Sequence, residues 1–227
     1  MGFRGLVAAL LIVGALPVNA AEAAAKVDCA KVRCLALTFD DGPGRYTATL
    51  LSHLKKEKAK ATFFLMGKRV PERPAVVRRM AKEGHEIGAH TYSHPYLTTL
   101  PDEEITRELE SARDAVAEVT GKEPATFRPP YGDTDDRVLE LAGASGLAQV
   151  MWTGTTLDWS LRDEKKIKAA VLRLARRDGV ILMHDVVPQT VRAMPGILRE
   201  LKKRGYHLVT VSALLKGRRL GAGESYP

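Results

Sequence analysis

The chain has few cysteines and few aromatic residues, and both shortages narrow the range of functions. Only two of its 227 residues are cysteine, so a structural zinc site with four thiolate ligands is excluded. Aromatic residues make up 6% of the chain, and none of the lysine and arginine clusters is interleaved with them. No nucleic-acid surface is therefore predicted. The formal net charge of +8 is compatible with an anionic surface such as a cell wall, a membrane or nucleic acid, and equally with lysines and arginines that are scattered and solvated.

An apolar run from Gly5 to Val18 follows Arg4 at the N-terminus. It is shorter than the ~20 residues that a bilayer span needs. The small residues around Ala20 that follow it are typical of a signal-peptidase site. We interpret residues 1–20 as a cleaved secretory signal, with cleavage after Ala23 or a retained anchor as the alternatives. The mature protein is then expected to be secreted, extracellular or wall-associated, without a stable membrane anchor.

Secretion decides how the two cysteines are interpreted. Cys29 and Cys34 lie just before the first predicted strand, with four residues between them. In an oxidising compartment this spacing predicts a small disulfide within an N-terminal segment, residues 21–34. A cysteine metal pair is the alternative, but no further cysteine exists to complete a thiolate site.

The pattern between residues 35 and 215 predicts a single α/β domain. Strand-like and helix-like stretches alternate about seven times with short connections, which is typical of parallel βαβ units. The glycine-rich phosphate fingerprint of nucleotide-binding open sheets is missing after the first strand. Polar residues follow several strands directly, and (β/α) barrels collect their active sites at that edge. We therefore predict a barrel with fewer than eight strands, followed by a flexible tail over residues 216–227.

The first strand, Leu35–Phe39, leads into two adjacent carboxylates, Asp40 and Asp41, and Gly42-Pro43 stops it abruptly. Because side chains alternate faces along a strand, the two carboxylates are expected to point in different directions and to have separate functions. A solvated turn is the alternative, since Asp-Asp-Gly-Pro is favourable turn chemistry. A glycosidase is not favoured, because its two carboxyl groups face each other across a sugar bond at ~5 Å or more.

His90 and His94 are four residues apart, and Pro95 disfavours a helix at His94. We predict a loop that directs both imidazoles to one point, with two unrelated surface histidines as the alternative. If Asp41 supplies a third ligand, two histidines and one carboxylate leave positions open for water and substrate. That ligand set is typical of a catalytic zinc site, although other divalent cations would fit it.

Three further polar residues follow predicted strands. Arg128 has a planar fork that could hold a carboxylate, and Asp158 could orient His184. Taken alone, Arg128 is an ordinary surface arginine and His184 an ordinary hydrogen-bonded residue at a strand end.

Five motifs occur together in one order, and their combination resembles the polysaccharide deacetylase family. This family is also called the NodB-homology domain or carbohydrate esterase family four, and the resemblance covers residues 35–215. It implies a distorted (β/α)7 barrel and metal-dependent removal of an acetyl group from a sugar. The motifs are Thr38-Phe39-Asp40-Asp41-Gly42-Pro43, His90-Thr91-Tyr92-Ser93-His94-Pro95, Arg128-Pro129-Pro130-Tyr131-Gly132, Asp158-Trp159 and Leu182-Met183-His184-Asp185.

The resemblance also implies a metal site and a general base. Asp41, His90 and His94 would bind a divalent metal, with Zn²⁺ expected and Co²⁺ as an alternative. Asp40 would be the general base, and Arg128 would orient it.

The remaining implied roles concern the acid and the substrate pocket. His184 would be the general acid, tuned by Asp158, and Tyr131 would offer its backbone N–H to the oxyanion. Trp159 and Leu182 would line the pocket for the acetyl methyl group. Many members have a proline shortly after the Asp-Trp pair, whereas this chain continues with Ser160-Leu161-Arg162.

The substrate expected from these features is an acetylated polysaccharide. Peptidoglycan is the first choice, followed by chitin oligomers and acetylated xylan. The alternative from another class is a catalytically silent wall-binding domain on the same fold. The retained Asp40, His184 and metal-binding residues argue against it, because a binding domain needs no proton-transfer pair.

Overall fold

The structure is a computed structural model, and it describes residues 1–2, 27–215 and 220–227. Apart from its first two residues, the predicted signal peptide lies outside the described residues, as do both candidate cleavage sites. Within the described ranges, no helix combines the length and apolar character that crossing a membrane requires.

The described ranges contain nine β-strands and eight α-helices, and helices follow most strands as the sequence predicts. Three short 3₁₀ helices add to these, at Gly67–Arg69, Leu97–Thr99 and Pro130–Gly132. The strands and helices, in chain order, are β1 (Arg33–Gly42), α1 (Thr47–Lys56), β2 (Thr62–Leu65), α2 (Pro74–Lys82), β3 (Glu86–Ala89), α3 (Asp102–Thr120), β4 (Thr126–Phe127), α4 (Asp136–Ala144), β5 (Ala148–Val150), β6 (Gly154–Thr155), α5 (Asp158–Leu161), α6 (Glu164–Leu174), β7 (Gly179–His184), α7 (Pro188–Lys203), β8 (Tyr206–Val209), α8 (Val211–Leu214) and β9 (Ser225–Tyr226).

All strands run parallel in one sheet whose order is β6-β7-β1-β2-β3-β4-β5-β9. Strand β8 pairs with the first half of β1 (33–36), whereas β2 pairs with its second half (38–42). The long first strand is thus shared by two shorter ones, each paired with a different half of it. The predicted distorted (β/α)7 barrel in a single domain is confirmed.

The core lies between the strands and the helices that cover them. Residues 34–40 of β1 are all buried, and Phe39 stacks on Phe63 of β2 with ring centroids 5.3 Å apart. Helix α3 buries one stripe at intervals of three or four residues and ends at Gly121, whose φ of 72° suits a glycine cap. The buried stripe consists of Ile105, Leu109, Ala112 and Val116.

The predicted disulfide between Cys29 and Cys34 is confirmed. Cys34 is the second residue of β1 and is fully buried, while Cys29 lies in the turn that precedes the strand. The bond therefore ties the turn before β1 to the beginning of that strand.

The expectation of a flexible tail is wrong for its last part. Strand β9 pairs with Gln149 and Val150 of β5, and the N–H of Gly223 donates to the carbonyl of Leu147. A Cβ atom at Gly143 of α4 would lie only 2.9 Å from the Cα of Gly223, so glycine permits this close approach. A two-residue strand that depends on such distant partners leaves no local pattern in the sequence.

Candidate active site

The carboxyl ends of the parallel strands surround a cavity of about 810 Å³. This is the edge at which the sequence predicts an active site, and the structure brings all ten predicted residues to it. Arg128 and Asp158 lie behind the cavity wall, where they contact Asp40 and His184. The other eight line the cavity: Asp40, Asp41, His90, His94, Tyr131, Trp159, Leu182 and His184.

Asp40 and Asp41 point to different partners, as predicted, but simple strand alternation is not the whole reason. The register between β1 and β2 shifts between Asp40 and Gly42, so Asp41 is an extra residue in a β-bulge. Its φ of 69° lies in the left-handed region, which is uncommon for a residue other than glycine. The bulge turns the Asp41 carboxylate towards the histidine loop.

Asp41, His90 and His94 form a three-residue cluster that fits a divalent metal. Their candidate ligand atoms all lie within 4.8 Å of one another, and Asp41 Oδ1 is 3.4 Å from His90 Nε2 and 3.2 Å from His94 Nε2. Asp41 Oδ1 is buried and has no hydrogen-bond partner among the described groups. His90 Nδ1 lies 2.7 Å from the carbonyl of Arg128, so a proton there leaves the Nε2 lone pair facing the cluster. A buried anionic oxygen facing two imidazole nitrogens is the donor set of a zinc-type site.

The loop that carries the two histidines is held by Glu108 of α3, a residue that the sequence did not single out. Its carboxylate accepts from the N–H of Tyr92 at 2.8 Å, and from the N–H and hydroxyl of Ser93 at 2.7 and 2.5 Å. The loop contains two residues with positive φ, Thr91 at 57° and His94 at 74°. Such a backbone needs support from neighbouring groups, and Glu108 supplies it between the two histidines.

Glu108→Gln is therefore expected to weaken zinc binding by about 10-fold, the scale on which residues that support metal ligands act. The amide retains an acceptor oxygen but cannot serve all three donors as a carboxylate does. The measurement is a competition titration of the zinc-free protein against a chelator. Glu104→Gln is the matched control, because this exposed residue lies one turn earlier on α3 and makes no side-chain hydrogen bond or ion pair within the described chain. Equal zinc affinities in the two variants would contradict the assignment.

Asp40 is paired with a fully buried arginine. Arg128 Nη1 donates to Asp40 Oδ1 at 2.8 Å and also to the hydroxyl of Thr38. Its Nε and Nη2 donate to the carbonyls of Val150 and Met151, so the guanidinium is fixed in one plane. Burial lowers the pKa of Arg128, whereas the neighbouring Asp40 charge raises it. The pair holds Asp40 in a fixed position at the cavity wall.

His184, the last residue of β7, is oriented by Asp158 at the start of α5. His184 Nδ1 lies 2.8 Å from Asp158 Oδ1, and the backbone N–H of His184 donates to Asp158 Oδ2. The Thr190 hydroxyl also donates to Oδ2, so this buried carboxylate is well satisfied. Burial alone would lower the pKa of His184, but the hydrogen bond to Asp158 and its charge raise it to about 9. The imidazole is thus protonated at neutral pH and turns its Nε2 edge away from Asp158.

The remaining wall of the cavity includes four aromatic side chains, Tyr96, Tyr131, Trp152 and Trp159. Tyr131 has a φ of 60° and stacks on Tyr96 at a centroid distance of 4.1 Å, while its edge meets His94 at 4.6 Å. Tyr131 and Trp159 are more than half exposed, and Leu182 is buried between strands. Flat exposed rings beside a polar cluster suit a sugar, which offers apolar faces and polar edges.

Asp185, the last residue of the fifth motif, lies directly behind the turn that follows Asp41. The sequence predicted no role for it. Its carboxyl is fully buried and accepts from the Thr47 hydroxyl, which itself accepts from the N–H of Gly44. A Cβ at position 42 would lie 2.5 Å from Asp185 Oδ2, so only glycine fits above this carboxyl. Burial raises the pKa of Asp185 to about 7. This network fixes the turn that follows Asp41.

Arg69 supports the same turn from the cavity side. Its Nη1 donates to the carbonyl of Asp41 at 2.9 Å. Neither Arg69 nor Glu108 belongs to a motif, and only the folded chain shows their contacts with the segments that carry Asp41 and the two histidines.

Comparison with known proteins agrees with this geometry. The family model described as polysaccharide deacetylase matches residues 28–150, more than half of the chain. The peptidoglycan-N-acetylglucosamine deacetylase PgdA of Listeria monocytogenes is 37% identical over 193 residues, which are 85% of this chain but 41% of that protein. A peptidoglycan-N-acetylglucosamine deacetylase of Bacillus cereus is 40% identical over 190 residues, covering 81% of this chain and 89% of that protein.

Among solved structures, the T48 deacetylase with substrate superposes with a TM-score of 0.85 at 39% identity. The match covers 88% of this chain and 100% of that chain. The barrel, the order of the five motifs and the matched family model lead to one conclusion: the chain belongs to the polysaccharide deacetylase family.

Proposed function

We propose that the protein is a secreted, metal-dependent hydrolase that removes N-acetyl groups from polymers of N-acetylglucosamine. The observation that carries this proposal is the presence of three chemical functions in one cavity. These are a cluster suited to a metal, a carboxylate fixed by Arg128, and an imidazole whose pKa is raised by Asp158. An acetamide is a poor electrophile, and its hydrolysis needs all three.

Asp41, His90 and His94 would hold the metal, and Zn²⁺ fits this ligand set well, with Co²⁺ as the alternative. When bound, a divalent cation polarises a carbonyl oxygen and lowers the pKa of water from ~16 towards ~7. Asp40 accepts the proton of the attacking water, because it lines the cavity beside the cluster while Arg128 keeps it out of the ligand set. The backbone N–H of Tyr131 stabilises the negative charge that develops on the acetyl oxygen.

His184 completes the reaction by protonating the leaving amine. A sugar amine is a poor leaving group unless it receives a proton as the carbon–nitrogen bond breaks. The hydrogen bond to Asp158 keeps the imidazole in the orientation in which Nδ1 faces the carboxylate. Trp159 and Leu182 line the part of the cavity that would take the acetyl methyl group.

Peptidoglycan is the preferred substrate among the polymers that this site could bind. Both curated relatives described above are named as peptidoglycan-N-acetylglucosamine deacetylases. Chitin oligomers and acetylated xylan are the alternatives, and the sequence Ser160-Leu161-Arg162, which follows the cavity-lining Trp159, departs from that of many family members. A silent wall-binding domain is less well supported, because such a domain has no use for the Asp40–Arg128 and His184–Asp158 pairs.

A location outside the cytoplasm is supported by the disulfide. Disulfides persist in oxidising compartments, and the Cys29–Cys34 bond lies close to the expected mature N-terminus.

The test is acetate release from peptidoglycan, chitin oligomers and acetylated xylan, each after chelation and again after addition of zinc or cobalt. We expect the largest release from peptidoglycan, little release after chelation, and recovery with added metal. No acetate from any substrate after reloading would overturn the deacetylase proposal, and undiminished release after exhaustive chelation would overturn metal dependence.

A further inference from the structure

A second cavity, of about 840 Å³, lies at the opposite end of the barrel from the candidate active site. Its wall includes Lys60, which precedes β2, and His85, which precedes β3. Parallel strands place these amino ends and the catalytic carboxyl ends at opposite edges of the sheet. The four-residue strand β2 alone spans about 13 Å, so the two sites do not overlap.

Six lysine and arginine side chains converge on this cavity, together with a single carboxylate. Glu83 pairs with Arg79 at 3.0 Å and with Lys55 at 3.4 Å, and Lys60 Nζ donates to the Glu83 carbonyl. Lys55, Lys60 and Arg79 are therefore held by contacts within the protein. The charges of Lys55 and Arg79 also stabilise the C-terminal ends of α1 and α2. The six are Lys55, Lys58, Lys60, Arg78, Arg79 and Lys82.

Lys58, Arg78 and Lys82 are not held by contacts of this kind. None of them makes a side-chain hydrogen bond or ion pair with any group in the described part of the chain. Holding like charges together costs free energy, and an anion in the cavity would remove that cost. Burial lowers the pKa of the neighbouring His85 to about 4, with smaller contributions from Lys60 and Arg79 that the charge of Glu83 opposes.

The lining selects among anionic partners. The large hydrophobic side chains found exposed in the described ranges all lie elsewhere, so no large apolar side chain extends from this cavity to insert into a membrane. It presents no Phe, Tyr or Trp ring on which bases could stack, and its one imidazole, His85, is buried with 8% exposure. Four of its six cations are lysines, which bind phosphate as point charges. The lining thus favours a flexible anionic polymer that has neither bases nor acyl chains.

We propose that this cavity binds a linear phosphodiester polymer without bases, of the poly(glycerol phosphate) class. Such binding would hold the enzyme on an anionic surface while the catalytic cavity, at the other end of the barrel, stays open to a glycan. The site is separate from the proposed deacetylase reaction and does not depend on it.

The test compares two triple variants with equal loss of charge. The first is Lys58→Gln/Arg78→Gln/Lys82→Gln. The second is Lys165→Gln/Arg173→Gln/Lys203→Gln, which removes three exposed cations from α6 and the end of α7. Binding of fluorescent poly(glycerol phosphate) is titrated at several salt concentrations, and single-stranded DNA, poly-glutamate and phosphatidylglycerol vesicles serve as competing probes.

We expect the first variant to bind poly(glycerol phosphate) at least 10-fold more weakly than the unmodified protein at low salt. Its log–log salt slope should fall by about 2, because three charge contacts each contribute ~0.7. The second variant should change affinity by less than about 3-fold. Both variants should keep the thermal midpoint and, where the protein is active, the rate of acetate release from soluble oligomers.

Equal loss in the two variants would overturn the proposal, since only net charge would then matter. Tighter binding of DNA, poly-glutamate or vesicles than of poly(glycerol phosphate) would assign the cavity to that class instead. Failure of acetate release with intact polymer binding would count against the proposed function alone.

Discussion

His94→Ala is expected to remove both bound metal and deacetylase activity, whereas Asp40→Asn should keep the metal and lose the activity. His94 Nε2 faces Asp41 Oδ1 at 3.2 Å and belongs to the cluster that fits the ion. Asp40 instead accepts from Arg128, and no described contact joins it to the two histidines. Loss of a general base typically costs ~10²–10⁴-fold in rate, and loss of a metal ligand empties or weakens the site.

The measurement is metal content of the purified variants alongside acetate release. Asp41→Asn serves as the companion variant, because Asp41 is adjacent in sequence but faces the histidines. Its metal content should fall as that of His94→Ala does. If Asp40→Asn emptied the site while Asp41→Asn left it full, the roles assigned to the two carboxylates would be reversed.

Much of the architecture could be predicted because the signals are local. The buried run of β1, the helical spacing of α3 and the stop at Gly42-Pro43 depend on neighbours in sequence. The same holds for the loop at His90 and His94, since Pro95 disfavours a helix there. Polar residues at successive strand ends then share one edge of a parallel sheet, which is why the predicted site residues meet.

The features that could not be predicted from the sequence depend on contacts between residues far apart along the chain. Asp41 needs a left-handed bulge because β2 shifts register against β1, and that shift appears only once the strands are paired. Glu108 meets the histidine loop across 15 and 16 residues, with no motif to mark it. Strand β9 pairs with a strand about 76 residues away, so it carries no pattern of its own.

The raised pKa of His184 is expected to make the rate of deacetylation depend strongly on pH. Burial alone would lower this pKa, but the Asp158 hydrogen bond and charge raise it to about 9. The proton-carrying form therefore exists below pH ~9 and is lost as the pH rises through that value. A general acid must carry the proton, so deacetylation should decline on the alkaline side. Asp158→Asn removes the stabilising charge and should move that decline to lower pH.

His184→Ala should keep its metal yet lose ~10²–10⁴-fold in turnover on an N-acetyl sugar, since the amine leaves badly without a proton. It should lose much less on an activated aryl acetate, because an aryloxide departs unprotonated. A histidine that bound the metal would produce a different result: the variant would lose metal and fail equally on both substrates.

The comparison is made as kcat/KM on the two substrates with metal content measured on the same preparation. His184 Nδ1 is already committed to Asp158 at 2.8 Å, so the two nitrogens of one ring have separable functions, orientation and proton delivery. Equal losses on amide and aryl ester, or a metal-free variant, would refute the acid assignment.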